Sequence, residues 1–277
     1  MSRWAAVDAP LTPAQTQPGI DHAAAAFAAR QLELISADLR AAARTQRLLL
    51  GSDHCAAVNG IQGLNIGVLW RPADSISGDV YRVERAGGFL YVAVADAPGH
   101  GIAAALMGVF IGQALEFTGG DGNALEPAEI LIELNTRLRR SGCGAAAFAT
   151  AAVLRVDLRA GAADGATALL ATAGHPPLLR VRHDAPAEPI DSAGRILGVF
   201  DDPDCRQARF DLAAGDRLLL HTDGFEEAFA GNHVEALTDI FADPAPDPMR
   251  RLHATLDTQA GSLRPGDDLT LVALTIV

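Results

Sequence analysis

The feature that most constrains this chain is a pair of glycines. Gly87-Gly88 joins "GDVYRVERA" to "FLYVAVAD", two runs rich in β-branched and aromatic residues. Gly-Gly tolerates positive φ at both central positions of a two-residue turn, so the pattern predicts an antiparallel hairpin. The turn also sets a register in which Ala86 faces Phe89. Seven steps outward from that pair bring Asp79 opposite Asp96. Directly opposed residues hold their Cβ atoms about 4.5–5.5 Å apart, where like charges repel. A divalent cation between them removes the conflict, because hard cations take carboxylate oxygens. A protonated carboxyl, or a hydrated strand end, removes it too, and the hairpin alone leaves all three open.

Further acids share that setting. "RLLLHTDGFEEA" puts Asp223 where an apolar strand stops and a helix begins, and "RPGDDLTLVALTIV" puts Asp267 and Asp268 just before the last strand. Convergence of these sites would make an oxygen-rich pocket for two Mn2+ or Mg2+ ions. Aspartates beside glycine are also ordinary turn formers. The net charge of -12 suits an acidic site and argues against a nucleic-acid binder, which needs a basic face. "YVAVADAPGHGIAAALMG" loosely mimics a dinucleotide loop through Gly99, Gly101 and Ala104. Asp96 there would oppose a pyrophosphate, and no second strand ends in an acid about 20 residues on.

The rest of the chain reads as a layered α+β fold. Residues 1–20 are a polar, Pro-containing lead, and residues 21–55 a helical extension. Its helix covers 22–50, with Ala25, Ala28, Leu32, Ile35, Leu39, Ala42, Gln46 and Leu49 on a heptad seam. Two readings stand for it, a homodimerising helix or a helix docked on its own domain. Gly51-Ser52-Asp53 ends it. From residue 56 the pattern turns to short strands, interrupted by a long buried helix in "GIAAALMGVFIGQALEF" and a second in "EPAEILIELNTRLRR". "GFEEAFAGN" and "PDPMRRLHATLDTQAG" read as helices. Antiparallel sheets covered by helices follow. Cys55, Cys143 and Cys205 form no CxxC and no paired framework, so free thiols in a reducing compartment are expected. No apolar run reaches the roughly 18 residues of a membrane span, and none near the start resembles a signal peptide, which predicts a cytoplasmic protein without membrane contact.

Seven segments in order carry a resemblance: "SGDVYR", "ADAPGHG", "PAEILIELN", "ATAGHPPLL", "ILGV", "HTDGFEEA" and "DDLTL". Residues 56–277 resemble the SpoIIE/RsbU-like branch of the PPM-type metal-dependent serine/threonine protein phosphatases. The resemblance implies an αββα sandwich of two antiparallel sheets flanked by helices. It implies a two-ion Mn2+ or Mg2+ centre held by Asp79, Asp96, Asp223 and Asp267, with Asp96 bridging and the backbone carbonyl of Ala97 as a further ligand. It implies direct attack by metal-activated water, without a phosphoenzyme. The implied substrate is a phosphorylated STAS-type anti-sigma-factor antagonist in a partner-switching pathway. With no sensor-like segment before the helix, a separate regulator or dimerisation is expected to bring the signal. Ser77 replaces the first Gly of the branch's motif, Arg82 its second acid, and Ala97-Pro98 the usual bridging-loop residues. Those departures motivate a rival reading, a phosphatase-fold binding module with little turnover. His100 and His175 are expected to hydrogen-bond in turns, His221 to pack in a strand, and Arg71 and Arg82 to be solvated or to touch phosphate.

Overall fold

The structure is a computed structural model that describes residues 18–50, 61–144, 147–159, 165–183, 185–243, 247–260 and 266–277. The expected lead up to Gln17, the helix stop at Gly51-Ser52-Asp53 and Cys55 lie outside the described residues. Helix α1 (Pro18–Leu50) starts earlier than its periodicity suggests, at a proline, which suits a first helical turn. The chain divides into two compact units after Ala41. In the first unit, the side chains of residues 24–38 are exposed, Phe27, Leu32 and Ile35 among them. In the second, Ala43, Gln46 and Leu50 are covered while Ala42 and Leu49 are exposed. The buried face of the last turns therefore shares Gln46 with the heptad seam but not Ala42 or Leu49.

The rest of the second unit is two five-stranded antiparallel sheets. One runs β1 (Leu64–Arg71), β10 (Leu269–Ile276), β9 (Arg217–His221), β6 (Leu178–Val181), β7 (Glu188–Ile190). The other runs β2 (Val80–Ala86), β3 (Phe89–Asp96), β4 (Thr150–Asp157), β5 (Thr167–Ala173), β8 (Ala208–Asp211). Alternation builds three apolar layers, since successive side chains leave opposite faces of a strand. Leu90, Val92 and Val94 of β3 meet Val272 and Leu274 of β10 between the sheets. Tyr91, Ala93 and Ala95 face the other way, onto α2 (Ile102–Ala114) and α3 (Pro127–Arg140). Leu269, Leu271 and Ala273 face α4 (Gly224–Ala228), α5 (His233–Ala242) and α6 (Pro248–Ala260) through Phe225, Leu237, Phe241 and Leu252. The expected αββα sandwich is the observed one.

Local chemistry places the helices. Glu126 and Glu129 form a reciprocal capping box around Pro127, and Arg137, Arg139 and Arg140 fill the last turn of α3, where the helix dipole favours cations. Helix α2 is not wholly buried as expected. Ile102 and Leu106 are exposed, while its glycine side presses on the sheet. A Cβ at Gly108 would lie 2.7 Å from the Gly78 carbonyl oxygen, so only glycine permits that approach. Three elements have no counterpart in the sequence reading. Strand β7 has three residues, β8 has four and sits at an edge, and neither is long enough to show a period. Helix α5 does show one, in the buried Leu237 and Phe241 four apart, but it follows the Gly231-Asn232 turn so closely that it reads as loop.

Candidate metal centre

Strand parity builds the site. Tyr81 and Val83 face the inter-sheet layer, so Asp79, two residues before Tyr81, leaves its strand on the same side. Val92 and Val94 do the same for Asp96. The observed hairpin pairs Ala86 with Phe89 and Val80 with Ala95, as the Gly-Gly turn predicts. Gly87 and Gly88 adopt φ of 56° and 83°. One bond beyond the strands, the Ala97 N–H donates to the Gly78 carbonyl at 3.4 Å, so the register persists past the two aspartates. Each carboxyl group feels the other at this end of the core.

The opposite sheet supplies hydroxyls by the same parity. Leu220 and Val272 face inward, which turns Thr222 and Thr270 toward the pair. Thr222 Oγ1 donates to Asp79 Oδ2 at 2.8 Å and accepts the Thr270 N–H at 3.1 Å. The backbone of Asp79 is held as well. Its N–H donates to Ser77 Oγ at 3.0 Å, and its carbonyl accepts from Trp70 Nε1 at 3.1 Å. Asp268 is buried, and its two oxygens accept the N–H groups of Ala73 and Gly78, each at 2.8 Å. That carboxylate is thereby committed to the backbone leading into Asp79.

Asp223 stands exposed at the start of α4, and Asp267 is half-buried with Oδ1 accepting the Asp268 N–H at 2.8 Å. The two share an open cleft with Glu226 and Glu227. Gly224 makes this corner possible. A Cβ there would meet the Asp268 carbonyl oxygen at 2.1 Å. The structure thus brings the four aspartates together as two pairs, and Asp96 feels the charge of both members of the second.

The electrostatics are those of a site short of positive charge. Burial pushes the Asp96 carboxyl up to about 7, and Asp223, Asp267 and Asp268 add to the rise. Burial and then Asp96 hold Asp79 well above the ordinary carboxylate range. Asp267 is raised by burial, with Asp223, Asp268 and Glu227 contributing. Among the described residues no three acid, histidine or cysteine side chains already meet as a metal cage. The donor set is nonetheless all oxygen, crowded, and partly desolvated. That chemistry fits hard divalent cations. The Ala97 carbonyl, in the turn after Asp96, packs against Gly78.

Other singled-out residues have quieter places. His175 is buried, with Nδ1 paired to Thr150 Oγ1 at 2.8 Å, and burial takes its pKa down to about 3. Thr150 is the register partner of Asp96. His221 is a packed strand residue, lowered to about 4 by burial, and His100 is exposed. Arg82 donates to the Gly112 carbonyl of α2 at 2.7 Å and to Glu84 at 2.6 Å, which makes it a strand-to-helix tie. Arg71 is paired with Asp257. The sequence reading missed Thr222, Thr270 and Gln46. Parity with the flanking core residues could have found the threonines; nothing local marks Gln46.

The comparisons agree with this fold. The family model described as Stage II sporulation protein E (SpoIIE) matches residues 86–277. The phosphoserine phosphatase RsbU of Bacillus subtilis is 27% identical over 248 residues, covering 87% of this chain and 70% of that protein. Among solved structures, the SiaA-PP2C domain of Pseudomonas aeruginosa superposes with a TM-score of 0.75 at 25% identity, over 89% of this chain and 99% of that one. The RsbU and RsbW domains of a Mycobacterium tuberculosis protein give a TM-score of 0.63 at 26% identity, over 78% of this chain and 60% of that one.

Proposed function

The chain belongs to the SpoIIE family and is a serine/threonine protein phosphatase, and from that premise we propose how it works and on what. Asp79, Asp96, Asp223, Asp267 and the Ala97 carbonyl would hold two Mn2+ or Mg2+ ions. The observation that carries this reading is the Asp79–Asp96 pair, opposed across a hairpin and desolvated at the mouth of the sandwich. When bound, such ions supply a water that deprotonates near neutral pH and positive charge for the phosphoryl oxygens.

The chain's own part is to hold geometry. Thr222 orients one oxygen of Asp79. Asp96 keeps its proton up to about pH 7 without a cation, so ion binding must displace that proton. Ser77 and Thr222, two of the hydroxyls beside the pair, are buried and hydrogen-bonded to Asp79, which suits positioning and not nucleophilic attack. The rival reading, regulation by contact with little turnover, loses its Arg82 motive, because that guanidinium ties β2 to α2.

The substrate we infer is a phosphoserine- or phosphothreonine-bearing STAS-type anti-sigma-factor antagonist in a partner-switching pathway. The phosphatase named RsbU and the structure pairing RsbU and RsbW domains support it. A second copy of the chain, meeting along residues 22–50, or a separate regulator brings the signal. The test compares kcat/KM on a phosphorylated STAS domain with that on an unrelated phosphoserine protein. A preference of at least about tenfold, near 1.4 kcal/mol at the transition state, is expected. Equal rates on both would remove the STAS assignment and leave a general phosphatase.

A further inference from the structure

His175 has a place that the ion site does not account for. Gly174 leaves β5 with a φ of 63° and donates its N–H to the Gly194 carbonyl at 2.9 Å. Pro176 and Pro177 follow, and a residue before proline is held extended. The backbone on both sides of His175 is therefore fixed, and the ring is buried where the chain passes from one sheet to the other. Its Nδ1 lies 2.8 Å from Thr150 Oγ1, at the start of β4. The backbone of His221, at the end of β9 in the opposite sheet, favours a proton on the ring. It does so without closing a hydrogen bond, since Nε2 is buried and unpartnered among the described residues.

Thr150 stands directly opposite Asp96 in the β3–β4 ladder. Ala152 and Leu154 face the inter-sheet layer with Val94 and Val92, so Thr150 and Asp96 leave their sheet on that same side. Directly opposed side chains hold their Cβ atoms about 4.5–5.5 Å apart, where one change of rotamer brings a threonine hydroxyl to a carboxylate. Asp79 does meet such a hydroxyl, from Thr222. Asp96 does not. Among the described residues no backbone N–H and no hydroxyl donates to it, and the Thr150 hydroxyl is turned to His175. Burial takes the His175 pKa down to about 3, so the neutral ring carries one proton. With the His221 backbone favouring that proton, Nε2 is the nitrogen left to carry it and Nδ1 is the acceptor. The Thr150 O–H then donates to Nδ1 and is not offered to the carboxylate beside it.

We propose that His175 is a positioning residue for Asp96: by accepting the Thr150 hydroxyl, it keeps that proton off a carboxylate that has an ion to bind. The inference rests on Asp96 being an ion ligand, as proposed above. The two threonines beside the aspartate pair thus have opposite duties. Thr222 donates to its aspartate, and Thr150 is held away from its own. Without the Nδ1 acceptor the Thr150 hydroxyl turns to Asp96 across the ladder. An ion must then displace that bond, and the cost falls on ion affinity.

The test uses the full chain with His175→Asn, His175→Gln, His175→Gln combined with Thr150→Val, and Asp96→Asn. Mn2+ dissociation constants are measured by titration calorimetry on folded protein, beside thermal midpoints and kcat and KM. Nitrogen NMR shifts of histidine-labelled wild type, assigned against His175→Asn, report the tautomer, which is expected to be Nε2–H. Asparagine sets its amide oxygen where Nδ1 sits, so His175→Asn is expected to bind Mn2+ much as wild type does. Glutamine reaches past that position, and His175→Gln is expected to weaken binding about tenfold, as loss of an outer partner of a metal site does. Adding Thr150→Val removes the hydroxyl and is expected to restore most of that loss. In His175→Gln, KM for a phosphoserine substrate stays unchanged and excess Mn2+ restores most of kcat. A lowered thermal midpoint with an unchanged Mn2+ constant in His175→Gln is the mark of a merely structural role and overturns the inference. A double variant that binds no better than His175→Gln overturns it too, as does an Nδ1–H tautomer. Should the glutamine variant not fold, the wild-type tautomer decides. Mn2+ binding that is lost in Asp96→Asn but normal in His175→Gln sinks the positioning role alone. Wild-type binding that is missing, or unaffected by Asp96→Asn, removes the ligand assignment and this inference with it.

Discussion

A carboxyl group taken out of water and set among other carboxylates keeps its proton, which is why Asp96 sits at about 7. The sign of the resulting pH dependence follows. Between about 4 and about 7 the ion-free native protein holds a proton that the unfolded chain has released. Its stability therefore falls as pH rises through that window, by up to about 1.4 kcal/mol per pH unit for one such group. Asp79, also raised, acts in the same direction. His175 and His221, lowered to about 3 and about 4, act oppositely: their contribution is present above about 6.5 and lost as pH falls toward 4. Over pH 6.5 to 7.5 the two histidines offset much of the carboxyl effect, so the effect is read as a difference between variants. The thermal midpoint of ion-free wild type is expected to fall relative to that of Asp96→Asn over that interval. A difference that stays constant with pH, or that grows in favour of wild type, would contradict the electrostatics. At this scale the opposition of Asp79 and Asp96 was legible, because a two-residue turn fixes which carboxylates meet. The bonds of Thr222, Asp268 and Gln46 were not, because their partners lie 143, 190 and 31 residues away.

Elements place these residues, and the glycines between elements decide how closely they approach. Gly224 joins β9 to α4 against the Asp268 carbonyl, where a methyl group would overlap the oxygen at 2.1 Å. Gly224→Ala is expected to cost about 1–3 kcal/mol in urea unfolding, as overpacking does. It should also weaken Mn2+ binding, since Asp223 and Asp267 flank the contact. Wild-type stability in that variant would show the corner to be slack. Elements with strong local signals were readable: the β2–β3 hairpin from Gly87-Gly88, and α3 from its capping box and terminal arginines. The edge strands β7 and β8 were not, being short segments that exist through pairing with longer neighbours. The end of α1 misled for a related reason. Heptad spacing reports which side chains share a face, and not what that face meets, so Gln46 read as seam.

At the scale of the molecule, acidity and exposed helix surface set its dealings with partners. The net charge of -12 leaves the open end of the sandwich attractive to cations. Among the described residues no helix is long and apolar enough to cross a membrane. Phe27, Leu32 and Ile35 are exposed along α1, which supports a second copy as their cover. Light scattering on the full chain is expected to give a dimer that Leu32→Glu with Ile35→Glu converts to monomer; a monomeric wild type would end that proposal. The central claim is the two-ion site. Its most direct measurement is hydrolysis of p-nitrophenyl phosphate and a phosphoserine peptide with Mn2+ or with chelator, on wild type and Asp96→Asn. The account predicts turnover that needs Mn2+ and falls at least about a hundredfold in the variant, the upper range for a lost metal-site partner. Turnover that survives chelation, or that Asp96→Asn leaves unchanged, would contradict it.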